Sequence, residues 1–439
     1  LGLTPVPADG SPLLGLLNGM LPTLGDKAAN QAALQAADTA LSKIVAAADS
    51  TPDGDPALTP SDLAALGVTL PTDPALADNL AALVSAVVDA KPADAVDSVT
   101  EVKDILAAAQ KVIDTAAGLP VNPALNAADL AKLGIDISGK TPEQQAAILA
   151  AVGTSADSGV DVNSLSDLTA LVNNAVTALA KIADYAAASP AATTGATVPT
   201  ASDYKAMGVA GVTDGVDGNI AAINAALATT PVGRAEADSQ PEVQAIADIY
   251  SRILSAADGA RGNYDATQLP SAAELSKLGV NLGAASTGDA FSLLQTALDA
   301  VAKTQVDTPA EIGDIAASAA RMAAAANGTS ASGTGLTLDD FARLGVQGLD
   351  ADNLAAAIDA VVSKPDATAI NTAAKLQQVI DGLLRDLKLI KNYADNKPND
   401  DAALGDLGVV LVPTQANYVG AGITGVGTDA GQVPFAVMN

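Results

Sequence analysis

A step of the form Leu-Gly-Val recurs along the chain with its glycine at Gly67, Gly134, Gly208, Gly279, Gly345 and Gly408, at spacings of 67, 74, 71, 66 and 63 residues. Self-similarity with a period of about 68 restricts the possible folds more than any other feature. A unit of that size has little core of its own and gains stability by sharing surface with its neighbours. Leu1-Gly2-Leu3 lies 65 residues before Gly67, so the chain reads as opening inside a unit.

Eight residues before each glycine stand Thr59, Asn126, Thr200, Ser271, Thr337 and Asp400. All belong to the small group whose side chains accept a backbone N–H at a helix start. Three residues further on come Asp62, Asp129, Asp203, Glu274 and Asp340, with Ala403 as the exception, placing negative charge at the positive end of the helix dipole. The next position is apolar each time (Leu63, Leu130, Tyr204, Leu275, Phe341, Leu404), and so is the residue before each glycine (Leu66, Leu133, Met207, Leu278, Leu344, Leu407). The two lie three apart on one helical face. Each glycine suits the left-handed position that ends a helix, and the Val or Ile after it is expected to pack back on the unit.

A second helix is expected after each glycine (79–88, 143–152, 219–227, 289–301 and 353–362). A third and longer one follows, with apolar residues at spacings of three and four, as in Val102, Ile105, Leu106, Val112 and Ile113, or in Val243, Ile246, Ile249, Ile253 and Leu254. Similar long helices are expected near 30–48, 164–187, 308–326 and 371–394. Loops rich in Gly, Pro, Asp and Thr absorb the variation in period. The predicted organisation is a partial repeat at 1–58, full repeats at 59–125, 126–199, 200–270, 271–336 and 337–399, and a partial repeat with a Gly-rich tail at 400–439. Residues 409–439 show no helical period and read as extended. The fold class is all-α, a linear tandem array of small three-helix units. With 98 Ala against 9 aromatic residues, the helices are expected to approach closely instead of enclosing bulky cores.

With 50 acidic and 22 basic residues, the net charge of -28 repels polyphosphates, so no nucleic-acid partner is expected. No stretch reaches the roughly 18 to 20 apolar residues of a membrane span, and no membrane insertion is expected. The chain has neither His nor Cys nor Trp, and its Lys and Arg look scattered, so no nucleophile has an evident base beside it. Catalytic residues, an enzymatic role and organic cofactors are therefore not expected. Of the acidic residues 44 are Asp and 6 are Glu, an imbalance that suits caps and turns and leaves calcium as the one ion to consider. Candidate ligands are Asp49, Asp53 and Asp55, or Asp395, Asp400 and Asp401. The loop holding Gly215 and Gly218 carries two Asp and reads poorly as a phosphate cradle. Asn327-Gly328-Thr329 matches a glycosylation acceptor.

Two strings, Leu-Thr-Pro-Ser-Asp-Leu-Ala-Ala-Leu-Gly-Val at 58–68 and Ala-Ala-Asp-Gly-Ala-Arg-Gly-Asn at 256–263, resemble the helical tandem repeats of giant Gram-negative cell-surface proteins, the biofilm-associated and RTX-type adhesins. The resemblance implies an extracellular or cell-surface location and a fibre, stalk or spacer role. Partners would be copies of the chain or flanking repeats, joined end to end. Two other roles are a surface-layer or matrix subunit assembling laterally with calcium, and a carbohydrate-binding or hydrolytic module, for which the expected clustered aromatics are missing.

Overall fold

The computed structural model describes residues 11–25, 30–52, 57–156, 158–188, 197–215, 218–265, 268–329, 335–405, 407–423, 426–427 and 433–434. Among the described residues the fold is all-α, apart from one two-residue parallel pair, β1 (Val426–Gly427) with β2 (Val433–Pro434). Two compact units divide the chain, one formed by 1–213 with 234–244, the other by 214–233 with 245–439.

In the first unit the helices are α1 (Pro12–Leu24), α2 (Gln31–Ala47), α3 (Pro60–Ala65), α4 (Pro74–Asp89), α5 (Val99–Ala116), α6 (Ala127–Lys132), α7 (Pro142–Gly153), α8 (Leu165–Ala187) and α9 (Ala201–Ala206). Next come α10 (Ile220–Leu227) and α11 (Gln240–Ala256), the latter with its first turn in the first unit and the rest in the second. The second unit continues with α12 (Ala272–Lys277), α13 (Gly288–Ala300), α14 (Pro309–Ala326), α15 (Leu338–Arg343), α16 (Leu354–Val362), α17 (Ala373–Ala394) and α18 (Gln415–Gly420).

Local chemistry sets these boundaries. α4 starts at Pro74, five residues ahead of the expected Asn79, because Asp73 caps Ala75 and Pro74 occupies the first turn, where a missing N–H costs nothing. The long helices open on reciprocal caps, Ser98 with Glu101 and Thr308 with Glu311. Several end on a residue of positive φ, Ser50 (65°), Gly118 (65°), Gly328 (65°) and Asn396 (53°). A short 3-10 turn precedes each of five long helices, at Ala93–Ala95, Val160–Val162, Arg234–Glu236, Lys303–Gln305 and Ala367–Ile370, which the sequence patterns did not reveal. The core of the first unit is aliphatic and small. Leu80, Val84, Ala108, Ala109, Val112, Leu133, Ile148 and Ala175 are all fully buried, and the alanines leave room for close packing of helix backbones.

The C-terminal region departs from expectation. Asp400 does not cap an α-helix. Asp401 caps Ala403 in a 3-10 turn, Ala402–Leu404, and Asn399 closes the segment into a loop through its backbone bonds to Val409 and Gly408. The reason lies at Ala403, where the other copies have a carboxylate that returns to the cap. Leu407 and Val409 are consequently exposed, at 60% and 55%. Residues 409–439 are also not uniformly extended, since they contain α18.

Candidate functional site

Five short helices (α3, α6, α9, α12, α15) share one construction. The residues expected to cap them, Thr59, Asn126, Thr200, Ser271 and Thr337, all stand at the N-cap. In each, the backbone N–H of the cap donates to the carboxylate three residues on, at 2.8 Å for Thr59 to Asp62, 3.2 Å for Asn126 to Asp129, 2.7 Å for Thr200 to Asp203, 2.8 Å for Ser271 to Glu274 and 2.9 Å for Thr337 to Asp340. At the other end Gly67, Gly134, Gly208, Gly279 and Gly345 have φ between 78° and 88°. The residue after each glycine donates its N–H to the carbonyl five residues back: Val68 to Leu63, Ile135 to Leu130, Val209 to Tyr204, Val280 to Leu275 and Val346 to Phe341, at 2.9–3.2 Å. These acceptors are the first apolar residues of each helix, all at least 99% buried.

Thr414–Ile423 repeats this construction, and the Leu-Gly-Val search passes over it because Ala421 precedes its glycine. Thr414 donates its N–H to Asn417 Oδ1 at 2.7 Å, Tyr418 is buried, Gly422 has φ 77°, and Ile423 donates to the Tyr418 carbonyl at 2.9 Å. A cap eight residues before a glycine, Asn at the third position and Tyr at the fourth, as at Tyr204, would have revealed it. The sixth copy is therefore at 414–423. Gly408 keeps a positive φ of 80° without closing a helix.

The glycines differ in their surroundings. A β-carbon on Gly208 would sit 2.5 Å from the Ala150 carbonyl carbon in α7, one on Gly345 2.6 Å from Ala300 Cβ, and one on Gly279 would collide with Thr229. Gly134 and Gly408 face open space, whereas Gly422 lies against Ala356 of α16.

Sequence patterns missed the polar half of the arrangement. The basic residues are not scattered: each third-position carboxylate meets a cation from the long helix before it. Lys43 Nζ lies 2.7 Å from Asp62, Lys111 2.8 Å from Asp129 and Lys181 2.5 Å from Asp203, while Arg252 pairs with Glu274. Arg321 Nε donates to Asp340 Oδ1 at 3.0 Å, joined there by Ser318 Oγ at 2.8 Å, and the Asp340 side chain is only 1% exposed. In the sixth copy the polarity changes, with Asn417 Nδ2 donating to Asp386 of α17 at 2.7 Å. Burial pushes the Asp62, Asp203 and Asp340 carboxyls up, but the hydrogen bonds from the cation and from the cap outweigh it and hold all three below the usual carboxylate range. For Glu274 the Ser271 backbone N–H is the largest influence and also lowers it.

The remaining candidates do not converge. Asp49 accepts from Thr51 N at 2.8 Å, and Asp53 and Asp55 lie outside the described residues. Asp395 pairs with Lys391 and Lys397, Asp400 with Lys388, and Asp401 faces Arg385 at 3.7 Å. Among the described residues no three or more Asp or Glu side chains cluster as a metal site, and no helix is long and apolar enough to cross a membrane. Gly218 donates to the Gly215 carbonyl at 3.1 Å, and residues 216 and 217 lie outside the described residues. Asn327 is exposed and its Oδ1 accepts the Ala367 N–H at 2.8 Å. No family model, curated protein or solved structure matches the chain.

Proposed function

We propose that this is a structural repeat protein, a tandem array of three-helix units that serves as an extracellular fibre or as the spacer of a large bacterial surface adhesin. The observation that carries the reading is the sixfold recurrence of one capped, glycine-closed short helix, tied to the long helix before it. In five copies the third-position carboxylate and a cation of the preceding long helix hold that joint together. In a one-dimensional array the stability resides in the units and in the contacts between successive units, so such a chain supplies length and stiffness. Exposure at a Gram-negative cell surface is what the resemblance of the repeat strings implies.

Deleting one whole repeat, residues 126–199, tests this reading. A modular spacer lacking one unit still folds, keeps its helix content per residue, and appears in electron micrographs as a particle shortened by one unit. Collapse of the remaining five copies, or an unshortened particle, would show that the copies do not act as interchangeable units.

A further inference from the structure

In five copies one carboxylate does two jobs. It accepts the cap's own N–H, which starts the short helix, and it holds the cation of the preceding long helix, which docks it. A helix of six residues does not persist alone in water, because the nucleation cost is spread over too few closing bonds. Its order depends on this carboxylate, on two buried apolar side chains and on the glycine closure.

We propose that the third-position carboxylate is an acid-released latch: one protonation discharges both the acceptor of the cap and the partner of the cation, so the short helix detaches while the long helices remain folded. The inference stands on this doubly used atom group and does not depend on the fibre reading. The groups facing the latches are Lys43, Lys111, Lys181, Arg252 and Arg321, with Ser318 beside Asp340 and the Tyr204 ring beside Asp203. The pairs Lys132–Asp104 and Arg343–Asp314 flank two of them. Where the cation and the cap hold the carboxyl low, the carboxylate sets the response to acid. Where the folded carboxyl is held low, its stabilisation is complete above the unfolded value of about 4 and is lost as pH falls through the lower folded value. The sixth copy is an internal control. Asn417 makes the same cap with an amide, which carries no charge to lose, and its Nδ2 donates to Asp386 across from it.

Hydrogen exchange of the full chain, followed by mass spectrometry from pH 7 to pH 2.5 and corrected for the intrinsic exchange rate, reads this directly. Protection of the short helices at 60–68, 201–209, 272–280 and 338–346 should fall roughly 10- to 100-fold below about pH 4, the loss expected for a charge-assisted bond. The long helices and residues 415–423 should keep theirs. Asp203→Asn should abolish the pH dependence in its own copy alone, and Asp62→Asn serves if the first variant does not fold. Simultaneous loss in all six copies, loss of short and long helices in one step, or an unchanged response in the Asn variants would overturn the proposal.

Discussion

Gly208→Ala and Gly134→Ala separate two reasons for a glycine that look identical in sequence. Both residues close a short helix of the first unit with nearly equal dihedrals, φ 82° and 88°. Placing a β-carbon in the left-handed region costs about 1–2 kcal/mol at either site. Gly134 faces open space, so that is its whole penalty. At Gly208 the new carbon would lie 2.5 Å from both the carbonyl carbon and the β-carbon of Ala150, and 2.7 Å from the Ala151 nitrogen. These are mostly backbone atoms of α7, which cannot rotate away as a side-chain tip would, so relief requires shifting a helix and adds about 1–3 kcal/mol. The expected losses are thus about 1–2 kcal/mol for Gly134→Ala and about 2–5 kcal/mol for Gly208→Ala. In a domain of this size each kcal/mol lowers the melting temperature by roughly 2–4 °C. Urea denaturation with separate fitting of each transition gives the free energies, and a thermal scan gives the second estimate. Equal losses at the two positions, or a larger one at Gly134, would refute the close approach as a cause.

Three further outcomes follow from named contacts. Tyr418→Ala should cost about 3–5 kcal/mol in the second unit, whereas Leu407→Ala should stay within about 0.5 kcal/mol, since only the first side chain is buried; denaturation of the two variants distinguishes the real sixth copy from the apparent one. Arg321→Gln should cost about 1–3 kcal/mol because it strips a buried carboxylate of its cation, while Arg252→Gln, where both partners are about one-third exposed, should cost under about 1 kcal/mol by the same measurement. Asp38→Ala should raise stability by about 1–3 kcal/mol at neutral pH, because Asp38 is 2% exposed and its Oδ1 has no partner among the described residues. Burial pushes this carboxyl up, so the folded chain binds the proton more tightly than the unfolded one, and the advantage of the variant should shrink as pH falls towards about 4 in a denaturation series.

The short helices were legible in the sequence because everything that defines them is local. The cap, the carboxylate three residues on, the apolar pair and the glycine lie within nine consecutive positions, and backbone chemistry fixes their spacing. The long helices were equally plain, since an amphipathic stripe over 17 or more residues leaves few alternatives. Illegible features were those set across space. Lys111 lies 18 residues before Asp129 and Lys181 lies 22 before Asp203, a variation that follows from the intervening loops and hides the pairing from any search for constant spacing. The misplaced sixth copy has another cause. Asp400, Leu404, Leu407 and Gly408 reproduce the outline of the motif, but without an acceptor at Ala403 the outline does not nucleate a helix. Thr414, Asn417, Tyr418 and Gly422 depart from the Leu-Gly-Val wording and retain the chemistry.

A six-residue helix survives when several weak contributions act together, and the copies show which of these can be exchanged. In the copy closed by Gly134 the glycine makes no close approach to a neighbour, and there a second ion pair, Lys132 with Asp104, joins Lys111 and Asp129 across the same two helices. The copy closed by Gly345 has both the close approach to Ala300 and a deeply buried carboxylate with two donors from α14. In the last copy the cation is gone altogether. Gly420 stands where Lys132, Lys277 and Arg343 occur in three other copies, and a β-carbon at Gly420 would collide with the Asp386 carboxylate that Asn417 holds. Loss of the charge pair there coincides with loss of a side chain, which lets the short helix approach α17 closely enough for a neutral amide to replace the ammonium or guanidinium found elsewhere. Backbone proximity and charge are thus alternative means of making one joint. An alanine-rich, aromatic-poor composition suits this arrangement, because bulky side chains at the joint would keep the backbones too far apart for either.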